Sequence, residues 1–230
     1  MDGLSITEYV DVREQARKHG LRLTSELALL PRGFERSSGM LVYMSSDYVF
    51  DGRAESFSKG DVLSPINHYG RTKVAGERYA QQAAKWLIVR GTFFGRWLQS
   101  QRDTRLEDQL VSLRQGDEVD AVADQIGTPL WTGTMAGVLL DLICSRLRGI
   151  HHAAGPTPVS KVALLRRVAI ANGITSLRIR PVSTEERELK AHRPLNVVLR
   201  CSDEVFNYHA TLPAWTKTCS ATLMPSSFIP

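Results

Sequence analysis

The sequence predicts an α/β protein: a doubly wound parallel sheet over about residues 1–100, followed by a smaller α/β cap over 101–230 with some segments returning to the core. Three features point to it. Two short, almost unbroken apolar runs, Met40-Leu41-Val42-Tyr43-Met44 and Trp86-Leu87-Ile88-Val89-Arg90, have the pattern of strands covered on both faces. A long helical segment over 67–85 separates them, which is the spacing of a βαβ crossover and predicts parallel strands. The first run stops abruptly at the polar group Ser45-Ser46-Asp47, and the carboxyl end of a strand is where open α/β sheets bind ligands.

Taken in order, residues 7–19 and 23–30 read as helical, ended by Gly20 and Pro31. A polar loop over 32–39 leads into the first apolar strand. Asp51-Gly52 signals a turn, and Ser64-Pro65 precedes the long helix. Beyond the second strand, 106–114 reads as a helix, 118–123 as an extended piece and 131–147 as an apolar helix. Gly149-Ile150-His151-His152 reads as a short strand entering a turn. Ser160 suits the N-cap of a helix over 161–172, and Gly173 suits the left-handed position that closes it. A strand is expected at 177–181, then a proline-marked segment at Arg193-Pro194 and an amphipathic run over 203–208.

Composition narrows the class. A chain of 230 residues with 43% hydrophobic and 23% charged content is neither disordered nor fibrous. No apolar stretch approaches the roughly 20 residues of a membrane span, and the start Met1-Asp2-Gly3-Leu4-Ser5 does not have the layout of a signal peptide; a cytoplasmic protein is expected. Cys144, Cys201 and Cys219 indicate neither a disulfide framework nor a zinc site. The net charge of +5 is interspersed with acids, so a phosphorylated small molecule suits it as an anionic partner, and no nucleic acid is expected. His151-His152 reads as a strand pair with one buried face. The tryptophans Trp86, Trp97, Trp131 and Trp215 read as packing residues. Arg166, Arg167, Arg178 and Arg180 read as a solvated face.

The chemistry is carried by Ser46 at a strand end with Tyr69 and Lys73 on the following helix. Residues four apart share a helical face, so a phenol and an ammonium can converge on one oxygen. A phenol with an ordinary pKa near 10 needs a nearby cation to act at neutral pH, and Lys73 is the candidate.

Around these residues run Tyr43-Met44-Ser45-Ser46-Asp47-Tyr48-Val49-Phe50-Asp51-Gly52 and Ser64-Pro65-Ile66-Asn67-His68-Tyr69-Gly70-Arg71-Thr72-Lys73-Val74-Ala75-Gly76-Glu77. Both closely resemble motifs of the extended short-chain dehydrogenase/reductases, within them the dTDP-4-dehydrorhamnose reductase family. The likeness continues through Val89-Arg90-Gly91-Thr92-Phe93-Phe94-Gly95, Asp124-Gln125-Ile126-Gly127-Thr128-Pro129 and Arg193-Pro194-Leu195-Asn196. It implies a Rossmann-like core and NADPH- or NADH-dependent reduction of a nucleotide-activated 4-keto-6-deoxysugar. By that resemblance Tyr69 protonates the alkoxide, Lys73 lowers its pKa and binds the nicotinamide ribose, and Ser46 holds the keto oxygen. Arg90, Gly91, Thr92 and Phe93 line the nicotinamide pocket, Asp47, Tyr48, Val49 and Phe50 face the sugar, and Arg193 and Asn196 close over the nucleotide. Val197-Val198-Leu199-Arg200 departs from the small polar residue and Leu-Asp pair usual there.

None of the 17 glycines stands two or three positions from another, so neither G-x-G-x-x-G nor G-x-x-G-x-x-G occurs. Set against the family, Met1 falls just after the fourth strand. The expectation is a core truncated at its N-terminus by roughly 60 residues, poor cofactor binding, and a strand over 40–45 left bare on one side. The resemblance leaves two other readings: a non-catalytic homologue like the regulatory beta subunit of methionine adenosyltransferase, acting through a partner, and a sugar-nucleotide epimerase or dehydratase. A homodimer is compatible with each.

Overall fold

The computed structural model describes residues 22–23, 39–95, 105–187 and 191–201. The helix expected over 7–19, the run over 203–208, Trp97, Trp215 and Cys219 lie outside the described residues.

The main sheet has four parallel strands in the order β1 (Arg22–Leu23), β2 (Leu41–Met44), β3 (Trp86–Arg90), β8 (Gly149–His152). Side chains alternate across a strand, which explains the unbroken apolar runs. Leu41, Tyr43 and Ile88 cluster with Ala80 of helix α1 (His68–Ala80) on one face. Val42, Leu87 and Val89 cluster on the other with Met135, Val138 and Leu142 of helix α3 (Thr132–Cys144). Leu87, Ile88 and Val89 are fully buried, each contributing about 1.5–3 kcal/mol of apolar transfer free energy.

Two expectations change here. Leu23 pairs with Val42 in a strand, and the rest of the helix expected over 23–30 lies outside the described residues. Consequently β2 is flanked on both sides, and Leu41, Val42 and Tyr43 are buried rather than bare. Helix α1 begins as expected, with the Asn67 side chain accepting from Gly70 N at 2.8 Å. It ends a turn earlier than its composition suggests. Gln82 N and Ala83 N bond the Tyr79 and Ala80 carbonyls, tightening the chain so that it can enter β3.

A second cluster packs helix α2 (Arg105–Gln115) and helix α4 (Lys161–Ala171) against β5 (Val119–Val122) and β10 (Ile179–Val182), which pair in parallel. Leu113, Leu165, Val168 and Ala169 form its centre, each at most 1% exposed. The Ser160 side chain caps α4 by accepting from Ala163 N, and Gly173 follows it at φ +73°. Short pairs join the two parts: β4 (Phe93–Phe94) with β7 (Leu130–Trp131), and β6 (Ile126–Gly127) between β9 (Val159–Ser160) and β11 (Asn196–Val197). Trp131 is buried against Phe94, and Trp86 packs beside Ile88. The four arginines of the second cluster are exposed, and Arg180 pairs with Asp120. Cys144 is exposed, while the Cys201 thiol lies 3.2 Å from the His152 carbonyl.

His151 and His152 are both buried, at 3% and 0% exposure, so the expected one-faced pair is enclosed on both faces. The His152 ring sits edge-on to Phe50, with Nδ1 3.2 Å from the Arg200 carbonyl. Burial, then the nearby Arg90 charge, lower its pKa to about 4. The unfolded chain therefore takes up this proton first, near the ordinary value of 6.5. The stability contributed by the neutral ring is full above that pH and is lost as pH falls through 4, about 3 kcal/mol in all. Urea midpoints at pH 7 and pH 4 should show this loss, and His152→Leu should flatten the difference; an equal pH dependence in both proteins would exclude it.

Candidate active site

The turn after β2 is the centre of the site. Ser46 caps a short 3-10 turn (Asp47–Val49), accepting from Tyr48 N at 3.2 Å, and donates its own hydroxyl to Asp47 Oδ1 at 2.9 Å. Gly70 lets helix α1 close on this turn, because a Cβ there would collide with the Tyr48 carbonyl oxygen. That approach sets the Tyr69 ring edge-on to Tyr48 at 5.9 Å between centroids. One turn on, the Lys73 ammonium donates to the Met44 carbonyl at 3.1 Å and lies 5.6 Å from the centre of the Tyr69 ring. Ser46, Tyr69 and Lys73 thus meet at the carboxyl end of β2.

The electrostatics differ from expectation. The Tyr69 phenol is raised, not lowered: burial pushes it up, the Ser46 hydroxyl pulls it back, and Asp47 and Tyr48 raise it further. Lys73 is itself lowered by burial and is committed to a carbonyl, so the ligand-free site keeps Tyr69 protonated. That is the form from which a general acid starts.

Asp47 is 3% exposed. Its carboxylate also accepts from the Thr92 hydroxyl. Burial raises its pKa, while Thr92, Lys161 and Ser46 each lower it. A small cleft opens beside it, lined by Tyr48, Thr92, Gln125, Lys161 and apolar groups of the second cluster. Burial raises the Tyr48 phenol, opposed by Arg193, and Gln125 Nε2 lies 3.3 Å from the Tyr48 hydroxyl.

The remaining expected residues are placed variously. Val49 and Phe50 are fully buried and packed with Phe57 and Val74; they support the turn from beneath and do not face a sugar. Arg90 is 2% exposed, with Nε and Nη2 donating to Glu77 at 2.9 and 2.7 Å and its guanidinium over Phe50; it lies inside the core, not in a pocket wall. Gly91 is buried against the Ala153 carbonyl, and Phe93 is exposed. The Asn196 amide donates to the Ala54 and Glu55 carbonyls at 2.8 and 3.0 Å, tying the 191–201 segment to the loop after Gly52. Gln125 and Lys161 belong to the cleft without having been assigned a role from sequence. Gln125 stood within a quoted motif, whereas Lys161 read only as the start of a helix.

For a nicotinamide nucleotide, the half-exposed Tyr69 phenol and the partly accessible Lys73 ammonium suit the hydroxyl-bearing ribose end. Among the described residues, no group of His, Cys, Asp and Glu is arranged to hold a metal ion. No described helix is long and apolar enough to cross a membrane.

A parallel sheet with Ser at a strand end and Tyr and Lys four apart on the next helix defines the extended short-chain dehydrogenase/reductase class. Residues 10–227 match the family model described as RmlD substrate binding domain, and the chain belongs to that family. Over 208 residues it is 30% identical to a dTDP-4-dehydrorhamnose reductase of Burkholderia thailandensis, covering 82% of this chain and 68% of the relative. It is 31% identical to methionine adenosyltransferase 2 subunit beta of Xenopus tropicalis over 70% of this chain and 50% of that one. A crystal structure of the Bacillus anthracis dTDP-4-dehydrorhamnose reductase in complex with NADP superimposes with TM-score 0.70 at 26% identity, covering 80% of this chain and 65% of that one. The chain thus spans between half and about two thirds of the length of these relatives.

Proposed function

We propose that the chain acts in the NADPH- or NADH-dependent reduction of a nucleotide-activated 4-keto-6-deoxysugar, the reaction of a dTDP-4-dehydrorhamnose reductase, in the cytoplasm. The convergence of Ser46, Tyr69 and Lys73 beside a cleft lined by Asp47 and Tyr48, with Arg193 acting on the Tyr48 phenol, is the observation that supports it most. The nicotinamide cofactor, when bound, supplies the hydride. Lys73 holds its ribose hydroxyls, and Thr92 and Phe93 border its ring. Tyr69 gives its proton to the sugar's O4, and Ser46 holds that oxygen. Asp47 and Tyr48 meet the sugar, and Arg193 meets the diphosphate, where a guanidinium provides paired donors. Purified chain given NADPH and dTDP-4-dehydrorhamnose is expected to consume NADPH in proportion to dTDP-rhamnose formed. Binding of neither dTDP nor NADPH, by calorimetry and fluorescence, would remove the proposal.

A second reading, a regulatory homologue that works through a partner subunit, is supported by the likeness to the methionine adenosyltransferase beta subunits. Stable co-elution with a methionine adenosyltransferase catalytic subunit, without reductase turnover, would favour it.

A further inference from the structure

We propose that Gln125 is a positioning residue for substrate selection: its amide ties Tyr48 to the 191–201 segment and fixes the Tyr48 hydroxyl as a hydrogen-bond donor to an acceptor oxygen of the sugar. That the ligand carries a sugar rests on the reductase reading above; the Gln125–Tyr48 contact does not.

Gln125 is 4% exposed and lines the cleft. Its backbone is held on both sides. Before it, the Asp124 carboxylate accepts from Thr184 N and Oγ1 at 2.9 and 2.5 Å. After it, Ile126 N donates to the Leu195 carbonyl at 2.7 Å as β6 pairs with β11. From this fixed start the side chain places Nε2 3.3 Å from the Tyr48 hydroxyl and 3.4 Å from the Pro194 carbonyl. A carbonyl only accepts and an amide oxygen cannot give, so the nitrogen end of the amide is the one that faces Pro194. The same nitrogen then donates to Tyr48. Arg193, the residue before Pro194, bonds that hydroxyl as well, and a guanidinium has only hydrogens to offer. Two incoming donors occupy the phenol's lone pairs, and its own hydrogen is what Tyr48 has left to give.

The 191–201 segment is held on either side of this contact. Asn67, whose Oδ1 caps α1, donates from Nδ2 to the His192 carbonyl at 3.0 Å, and the Asn196 amide reaches Ala54 and Glu55. Arg193 and Pro194 are thereby fixed relative to the 3-10 turn that carries Tyr48. The Tyr48 ring also stands edge-on to Tyr69, so the acceptor that its hydroxyl selects lies close to the proton donor, on the sugar and not on the nucleoside. An amide serves here where a carboxylate would not. An ionised glutamate at 125 would repel the Pro194 carbonyl and take the Tyr48 hydrogen for itself.

The first test uses the whole chain without ligand. The NMR shift of the Tyr48 Cζ carbon, identified by its loss in Tyr48→Phe, should move in Gln125→Met. An unchanged shift would overturn the Gln125–Tyr48 contact, whatever the chain binds. The second test compares dTDP-rhamnose with dTDP by calorimetry, without cofactor and above neutral pH. Arg193 meets the diphosphate of both ligands, so a displaced segment weakens both alike and the ratio of affinities isolates the sugar. Tyr48→Phe should lower that ratio about tenfold and Gln125→Met about threefold, the scale of one hydrogen bond lost or loosened. Gln125→Glu should lower it at least as far as Tyr48→Phe. In the Tyr48→Phe background neither Gln125 variant should lower it further. A ratio unchanged in Tyr48→Phe or Gln125→Glu would overturn the selection of a sugar acceptor, and an undiminished fall in the Tyr48→Phe background would overturn its route through Tyr48. Binding of neither ligand by the wild-type chain would count against the reductase reading and leave the NMR shift to decide the contact.

Discussion

Replacing Arg90 by Met is expected to lower stability by about 3–5 kcal/mol, because it strips a buried carboxylate of its only cationic partner among the described contacts. Glu77 is 1% exposed and receives two guanidinium bonds and the Ser45 hydroxyl at 2.5 Å. Without Arg90, its charge is left in the core with one neutral donor. Against a typical stability of about 5–15 kcal/mol, this is a large fraction and should appear as a marked fall in urea midpoint. Glu77→Leu should do comparable harm by stranding the guanidinium, whose other contacts are the Lys59 carbonyl and the Phe50 ring. The double variant Arg90→Met/Glu77→Leu should be more stable than the sum of the two losses predicts, since it removes both charges together. Single variants that each lose under 1 kcal/mol would show that the pair carries little.

That ion pair also shows where sequence reading stops. The strands β2 and β3 were legible because helices cover both faces of the sheet and the sequence there is continuously apolar. The crossover was legible from spacing, and α4 from Ser160 and Gly173, whose cap and left-handed φ are local properties. Arg90 ends one of those strands as its sole charge. Nothing local indicates that its partner is Glu77, thirteen residues earlier on the adjoining helix. A motif likeness placed Arg90 beside the cofactor; burial places it in the core.

The same limit separates residues within one motif. Asp47, Tyr48, Val49 and Phe50 are consecutive, and a resemblance carries all four alike toward the substrate. The 3-10 turn then divides them: Tyr48 reaches the cleft, while Val49 and Phe50 turn inward and are sealed by Phe57 and Val74. Alternation does not apply in so short a turn, so the split depends on Ser46 capping it and on Gly70 admitting helix α1. Lys161 is the converse case. Its place beside Asp47 follows from the pairing of β6 with β9, a long-range contact that no local pattern announces. The Tyr69–Lys73 pair was legible as a shared helical face, but the direction of the Tyr69 shift was not, because it depends on burial and on Asp47.

Tyr69→Phe is expected to reduce kcat by about 10²–10⁴-fold, the usual contribution of a positioned general acid, while leaving stability within about 0.5 kcal/mol of wild type. The side chain is 51% exposed, so losing its hydroxyl removes a proton donor and little packing. Circular dichroism and the urea midpoint should be unchanged where turnover collapses; a variant with more than a tenth of wild-type kcat would remove Tyr69 from the chemistry. The pH profile of kcat/KM, which reports the free enzyme, separates Tyr69 from Lys73. Tyr69 is shifted above its ordinary value of 10.0 and Lys73 below its value of 10.5. Burial thus moves the two toward each other from opposite sides, and substitution at Lys73 decides which of them sets the alkaline limb. Lys73→Arg should push that limb upward, since a guanidinium stays charged beyond pH 12. Lys73→Met should remove the limb and weaken cofactor binding while the phenol keeps its proton. An alkaline limb that stays in place in Lys73→Arg would assign it to Tyr69 instead.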